Sequence, residues 1–365
     1  LVFLGDVFFA LGNYDEAGIQ YANALKLDAK SAGGLIGEAM ILAAEGKDDE
    51  AEQVFEYAMG LNPESSIIWL ARGNHLRSSR EFSEAADAYR RAVELGDAFT
   101  PLGQQFAANV RLISSLIDSR RLDEAGEHLR QFDVRYPGHP VSEFLRGQLA
   151  LAEGDFDTAQ LVMQGYLSKY PRDSRGEAVL GAINFSQENL RQAELHLLTA
   201  VRAGAGGDAT RRLLAETQLR LRKPEDALQV LRSGGALDPS DFMDMVLLGR
   251  AEIAAGDTDA AIRHFEQSAA ISPENLAVNL ALAAAYLKGD RAEDAVDLLS
   301  SLPVEPGSEF RRQSMLIVAL LRQGERDKAI AESDRLLAQN ETHAVAYLIA
   351  GALRELIGED EAARS

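Results

Sequence analysis

Eight basic residues, Arg77, Arg175, Arg212, Arg220, Arg250, Lys288, Arg311 and Arg322, fall at positions 2, 5, 9, 12 and 13 of a unit that recurs along the chain. Only Asp118 and Glu216 oppose them there. The chain as a whole runs the other way, with 37 Lys and Arg against 57 Asp and Glu and a net charge of −20. A guanidinium fork holds a carboxylate through two parallel hydrogen bonds. A line of such residues would therefore accept an acidic segment, a chain-terminal carboxylate or an anionic polymer. The alternative is passive: long arginine stems cover apolar helix surface and carry their heads to solvent. The same positions also hold Phe144, Leu151, Phe185, Leu219, Met243, Val246, Ile253, Leu280 and Leu287. Mixed apolar and arginine contacts suit an extended peptide or an amphipathic helix, and core packing between neighbouring units accounts for the apolar ones equally well. A polysaccharide groove would call for stacked aromatics, and here only Phe9, Phe144 and Phe185 qualify.

Catalytic chemistry finds little material. His75, His128, His139, His196, His264 and His343 are scattered over different units without metal-ligand spacing. There is no cysteine, which excludes disulfides and thiol nucleophiles and leaves cytoplasm and periplasm both open. No Ser-His-Asp set, phosphate-binding loop or HExxH motif occurs. The Gly204-Ala205-Gly206-Gly207 and Gly234-Gly235 runs follow no strand, so interhelical turns are expected there. The chain is expected to be no enzyme, with no cofactor and no metal.

The elements that position these residues follow from a period. Ala17, Ala51, Ala85, Ala125, Ala159, Ala193, Ala227, Ala261, Ala295, Ala329 and Ala363 are 34 residues apart, except for the 40 between Ala85 and Ala125. Such a period marks a solenoid of helix pairs. Turns such as Gly12-Asn13-Tyr14-Asp15-Glu16, Gly154-Asp155-Phe156-Asp157 and Gly256-Asp257-Thr258-Asp259 precede the alanines. Gly ends one helix in a left-handed cap and the acids suit the start of the next. Twelve residues before the Ala stands another small residue (Gly5, Ala39, Gly73, Gly147, Gly181, Ala215, Gly249, Ala283, Gly351). Four after it comes a bulky one (Tyr21, Phe55, Tyr89, Leu129, Met163, Leu197, Leu231, Phe265, Leu299). Pro63, Pro137, Pro171, Pro239 and Pro273 end second helices.

Small at position 8, Ala at 20, aromatic at 24, small at 27 and Pro at 32 resembles the tetratricopeptide repeat (TPR) pattern, most fully in Trp69, Gly73, Phe82, Ala85, Tyr89 and Ala92. The resemblance implies an all-α fold, a right-handed superhelical solenoid of antiparallel helix pairs, with the first helices lining a concave groove. One solenoid is expected over 1–365, in units 1–31, 32–65, 66–105, 106–139, 140–173, 174–207, 208–241, 242–275, 276–309, 310–343 and a partial 344–365. The family's carboxylate clamp of Lys and Asn in three successive repeats is absent, since Asn74 and Arg77 alone do not make one.

Departures carry expectations of their own. The six extra residues within Leu95–Phe106 make a longer loop or lengthened helix ends. Ile113 and Ile317 in place of the small residue splay their helix pairs, and Pro303 and Pro306 stop the ninth unit's second helix early. The chain opens in an apolar first helix (Leu1, Val2, Phe3, Leu4, Val7, Phe8, Phe9) and stops in a second at Ser365. Part of a longer array is expected, with the first helix buried in register and self-association open to the exposed ends. That apolar start is too short for a membrane span and lacks a signal peptide's basic flank.

The acidic balance disfavours nucleic acid and direct membrane insertion. A protein or peptide ligand, acidic segments included, is the expected partner. Residues 194–231 and 315–353 are similar to the TPR protein of the bacterial PEP-CTERM/exosortase system. That resemblance implies a periplasmic or envelope role in protein sorting or exopolysaccharide export. The expected function is thus a non-catalytic interaction scaffold. The alternatives are the recruiting arm of a larger enzyme or polysaccharide-secretion machine, and a cytoplasmic location.

Overall fold

In a computed structural model, residues 1–96, 101–233, 242–302, 309–339 and 344–364 are described. Pro239, Gly234-Gly235, Pro303, Pro306 and His343, like the side chain of Ala363, lie outside the described set. Among the described residues there are 21 α-helices and no strand. Residues 1–183 and 184–365 form two compact units.

The first unit holds α1 (Val2–Ala10), α2 (Tyr14–Leu27), α3 (Ala32–Ala44), α4 (Asp48–Leu61), α5 (Ser66–Ser78), α6 (Phe82–Glu94), α7 (Leu102–Asp118), α8 (Leu122–Arg135), α9 (Pro140–Glu153), α10 (Phe156–Lys169) and most of α11 (Ser174–Ser186). The second holds α12 (Leu190–Arg202), α13 (Gly207–Arg220), α14 (Pro224–Arg232), α15 (Phe242–Ala255), α16 (Thr258–Ile271), α17 (Leu276–Lys288), α18 (Ala292–Ser301), α19 (Glu309–Gln323), α20 (Arg326–Gln339) and α21 (Ala344–Arg364). In the first unit α1, α3, α5, α7 and α9 each pack on the even helix that follows, as do α13, α15, α17 and α19 in the second. In addition α1 packs on α3, α3 on α5, α5 on α7 and α7 on α9, then α13 on α15 and α17 on α19. The odd helices from α1 to α9 thus run side by side as a row in the first unit, and α13 beside α15 and α17 beside α19 in the second.

One backbone device sets the pairing. After each odd helix from α1 to α19 a single residue has positive φ, between 57° and 93°: Gly12, Gly46, Arg80, Arg120, Gly154, Glu188, Arg222, Gly256, Asp290 and Gly324. The next residue then donates its N–H back to a carbonyl five residues earlier, as Asn13 does to Phe8, Lys223 to Gln218 and Glu325 to Leu320. This is the Schellman closure, and it reverses the chain into the even helix. Acidic N-caps complete the turn where they occur. Asp155 accepts from the Thr158 N–H at 3.1 Å and Asp257 from that of Ala260 at 3.0 Å.

The alanine stripe from Ala17 to Ala329 is wholly excluded from solvent at all ten described positions, where a longer side chain would push the helix axes apart. Ahead of Pro63, Pro137, Pro171 and Pro273, the residues Asn62, Tyr136, Tyr170 and Ser272 leave helical geometry with φ of −135°, −128°, −125° and −132°. The proline ring forbids its predecessor the α conformation. Part of the six-residue insertion lengthens α7, which starts behind Pro101 and runs 17 residues. Ile113 and Ile317 are buried. The helix α18 stops at Ser301.

The first helix departs from expectation. It lies in register, yet Gly5 is its one buried residue and Phe3 is 79% exposed. It packs on α2 and α3, which cover one side only and leave Leu1, Phe3, Leu4 and Val7 open.

Candidate interaction surface

Each of the eight basic residues sits on an odd helix, and seven have a defined partner. In the first unit, Arg77 ends α5 and reaches across to α7, where its Nη1 is 2.9 Å from Asp118 and donates to Ser115 Oγ at 3.0 Å. Arg175 opens α11 and folds back on Asp173, with Nε and Nη2 donating at 3.0 and 2.6 Å. Its guanidinium lies 5.3 Å from the Phe144 ring centroid. The Tyr166 hydroxyl donates to the same carboxylate at 2.6 Å. Hydrogen bonding from Arg175 holds the Asp173 carboxyl well below its usual range, against a contrary effect of burial and with further help from Tyr166. Burial first, and Asp173 second, push the Tyr166 hydroxyl up to about 12.

The second unit brings three of the arginines together. Arg212, Glu216 and Arg220 recur every four residues along α13 and therefore share a face. Arg212 pairs with Asp244 of α15, which is 3% exposed. Arg250 of α15 holds Glu216 through both nitrogens of its fork, at 2.6 and 3.1 Å. Arg220 donates to Glu188 at 2.8 Å, approaches Glu216 at 3.5 Å and stacks 4.6 Å above the Phe185 ring. The result is a ladder, Glu188–Arg220–Glu216–Arg250, whose arginine side chains remain 40% and 47% exposed.

Lys288 and Arg322 do something else. Lys288 Nζ donates at 2.7 Å to the carbonyl of Ile253 in the last turn of α15, and Arg322 Nη1 donates to the Leu287 carbonyl near the end of α17. Both side chains reach 35 residues back and cap the C-terminus of the preceding odd helix, where carbonyls lack helical partners and the helix dipole favours a cation. Arg311 is exposed and has no hydrogen-bonding or ionic partner among the described residues.

By spacing, only Asp118 and Glu216 oppose the basic set; the structure adds Asp173, Glu188 and Asp244. The signal was present in the chain as separations of 32 residues between Arg220 and Glu188 and between Arg212 and Asp244. Among the described residues, no group of three or more His, Asp or Glu is arranged to hold a metal ion. No helix among them is long and apolar enough to cross a membrane.

Comparison with known proteins agrees with this architecture. Patterns described as Tetratricopeptide repeat match residues 1–31, 36–99, 70–140, 144–208 and 252–309. Human protein O-mannosyl-transferase TMTC3 is 23% identical over 293 residues, covering 76% of this chain and 30% of that protein. The chain thus spans about a third of the length of the curated relative it matches. The crystal structure of the APC/C hetero-tetramer Cut9-Hcn1 superposes with a TM-score of 0.57 at 17% identity, over 96% of this chain and 74% of that one. Pseudomonas aeruginosa PilF gives 0.45 at 16% identity, over 60% and 95%. The Cut9-Hcn1 likeness is one of fold. With the repeat pattern matched over most of its length and helix pairs closed at the same 34-residue register, this chain belongs to the tetratricopeptide repeat family.

Proposed function

We propose that this protein is a non-catalytic protein–protein interaction scaffold whose row of odd-numbered helices binds a segment of a partner protein. The observation that carries the proposal is the ladder Glu188–Arg220–Glu216–Arg250 above Phe185. Its guanidinium groups are exposed yet already fixed, Arg220 by Glu188 of the turn after α11 and by Glu216 of its own helix, Arg250 by Glu216 of the neighbouring helix. Less side-chain freedom is therefore lost when a ligand arrives. An acidic group on the partner competes with Glu188 and Glu216 for the same forks, and apolar residues beside it meet Leu219 and Met243. A segment with acidic residues set among apolar ones is therefore the ligand class. The test is capture from native extract by the whole chain and by the variant Arg220→Glu/Arg250→Glu. Loss of one specific partner from the variant supports the reading, and identical capture by both refutes it. Arg212 is unsuitable for reversal, because Asp244 beneath it is buried.

The finer setting is bacterial envelope biogenesis, protein sorting or exopolysaccharide export, in the periplasm. The similarity of residues 194–231 and 315–353 to the PEP-CTERM-associated TPR protein supports it. With no native cysteine, a single Gln164→Cys on the exposed side of α10 reports the compartment. Labelling by an outer-membrane-permeant, inner-membrane-impermeant maleimide in intact cells is expected, and labelling only after lysis would overturn the periplasmic assignment.

A second reading is favoured by one comparison. Because the chain corresponds to 30% of a relative named as an O-mannosyl-transferase, it can serve as the recruiting arm of a larger enzyme. In that case the captured partner is the enzyme's substrate, and removing the repeats raises KM while sparing kcat.

A further inference from the structure

Arg312 is the anomaly of the second unit. It sits near the start of α19 and is only 8% exposed. Its Nη1 donates to the Leu299 carbonyl at 2.8 Å, while its Nε–H is buried without an acceptor. No carboxylate lies within ion-pair distance of it among the described residues. Burying a guanidinium without an anion is costly, because hydration is lost and nothing charged replaces it.

The side chain lines a cavity of about 580 Å³ between the even helices α18 and α20, floored by α19. The short α18 and the longer α20 leave this space open. Val296, Leu316 and Leu320 form apolar wall, and Lys328 stands on the rim. Glu332 also lines the cavity, but its carboxylate is engaged by Arg335. Arg335 also lines the cavity, so the lining is cationic overall and its apolar wall, rather than charge, selects a ligand with a hydrocarbon part over phosphate.

We propose that this cavity binds an aliphatic carboxylate. The acid accepts from the Arg312 guanidinium, and the hydrocarbon fills the wall of Val296, Leu316 and Leu320. The site lies between even helices, away from Arg220 and Arg250, so it stands or falls independently of the partner-binding proposal.

The experiment follows the Nε–H resonance of Arg312 in whole chain labelled with ¹⁵N-arginine, assigned by its disappearance in Arg312→Lys. Four probes are titrated: N-acetyl-leucine, 4-methylpentanoate, N-acetyl-leucinamide and inorganic phosphate. A saturable shift with a carboxylate and none with the amide or phosphate is expected. If N-acetyl-leucine acts, the site accepts a peptide end; if only 4-methylpentanoate acts, it takes a free acid. In Ala331→Leu, which narrows the cavity from an exposed lining position and keeps Arg312, affinity is expected to fall roughly tenfold or more. No shift with either acid, an equal shift with the amide, or a shift with phosphate would overturn the proposal.

Discussion

A Cβ placed on Gly73 would lie 2.6 Å from Cε1 of Tyr89, whose hydroxyl donates to Asn74 at 2.9 Å. The ring of the even helix thus lies against the bare backbone of the odd one. A Cβ on Gly5 would likewise lie 2.6 Å from Tyr21, whose hydroxyl donates to Asp6, and one on Gly249 would lie 2.8 Å from Phe265. Gly73→Ala should therefore destabilise by about 1–3 kcal/mol through overpacking, and Gly73→Ala/Tyr89→Leu should recover part of the loss. Denaturant midpoints of the three proteins check this. An unchanged midpoint in the single variant would mean that the contact is loose.

Five of the ten left-handed turn residues are not glycine. Of these, Arg222 makes no side-chain hydrogen bond or ion pair among the described residues, and its φ is 61°. Arg222→Gly is expected to raise stability by roughly 0.5–1 kcal/mol by relieving the left-handed penalty. Gly256→Ala, at φ 93°, should lower it by about 1 kcal/mol. Equilibrium unfolding of both variants reads the sign directly.

Burial separates the arginine pairs in energy. Removing Arg212 strands Asp244, which is 3% exposed, and Arg212→Ala should cost about 3–5 kcal/mol. Arg250→Ala removes a pair near the surface and should cost less than about 1 kcal/mol. Urea unfolding of the two alanine variants decides whether this ordering holds.

The Asp173 carboxyl is held below its ordinary 3.8, so its contribution to stability is complete above that value and lost as the pH falls below it. Tyr166 runs oppositely. With the hydroxyl raised from 10.0 to about 12, its contribution is complete below pH 10 and fades as the pH rises through about 12. Thermal melts of wild type and Tyr166→Phe from pH 9 to 12 should converge at the alkaline end. Parallel curves would remove Tyr166 as a cause.

Much of the fold is legible in the sequence because it is set by local sterics at fixed spacing. The alanine stripe, the prolines behind Asn62 and Tyr136, and glycine turns such as Gly154 announce themselves by residue type. Arg80, Arg120, Glu188, Arg222 and Asp290 adopt the same backbone conformation without glycine's signature, and only the register betrays them. The candidate surface was legible in half. Its arginines and Glu216 follow from the period, but Asp173, Glu188 and Asp244 come from neighbouring repeats, through side-chain reach that no single repeat encodes. Lys288 and Arg322 share that register, and their hydrogen bonds to the carbonyls of Ile253 and Leu287 carry no signal in residue type. Arg312 gave no signal, since an arginine in a polar stretch is ordinarily solvated.

Under the proposed function, Arg220 and Arg250 hold a partner segment on the odd helices. This is tested most directly by the affinity of the captured partner, purified, for wild type and for Arg220→Glu/Arg250→Glu, with helix content matched by circular dichroism. A loss of roughly tenfold or more, diminishing as salt is raised, is the expected result. Equal affinities for two folded proteins would contradict the account and move binding to another face.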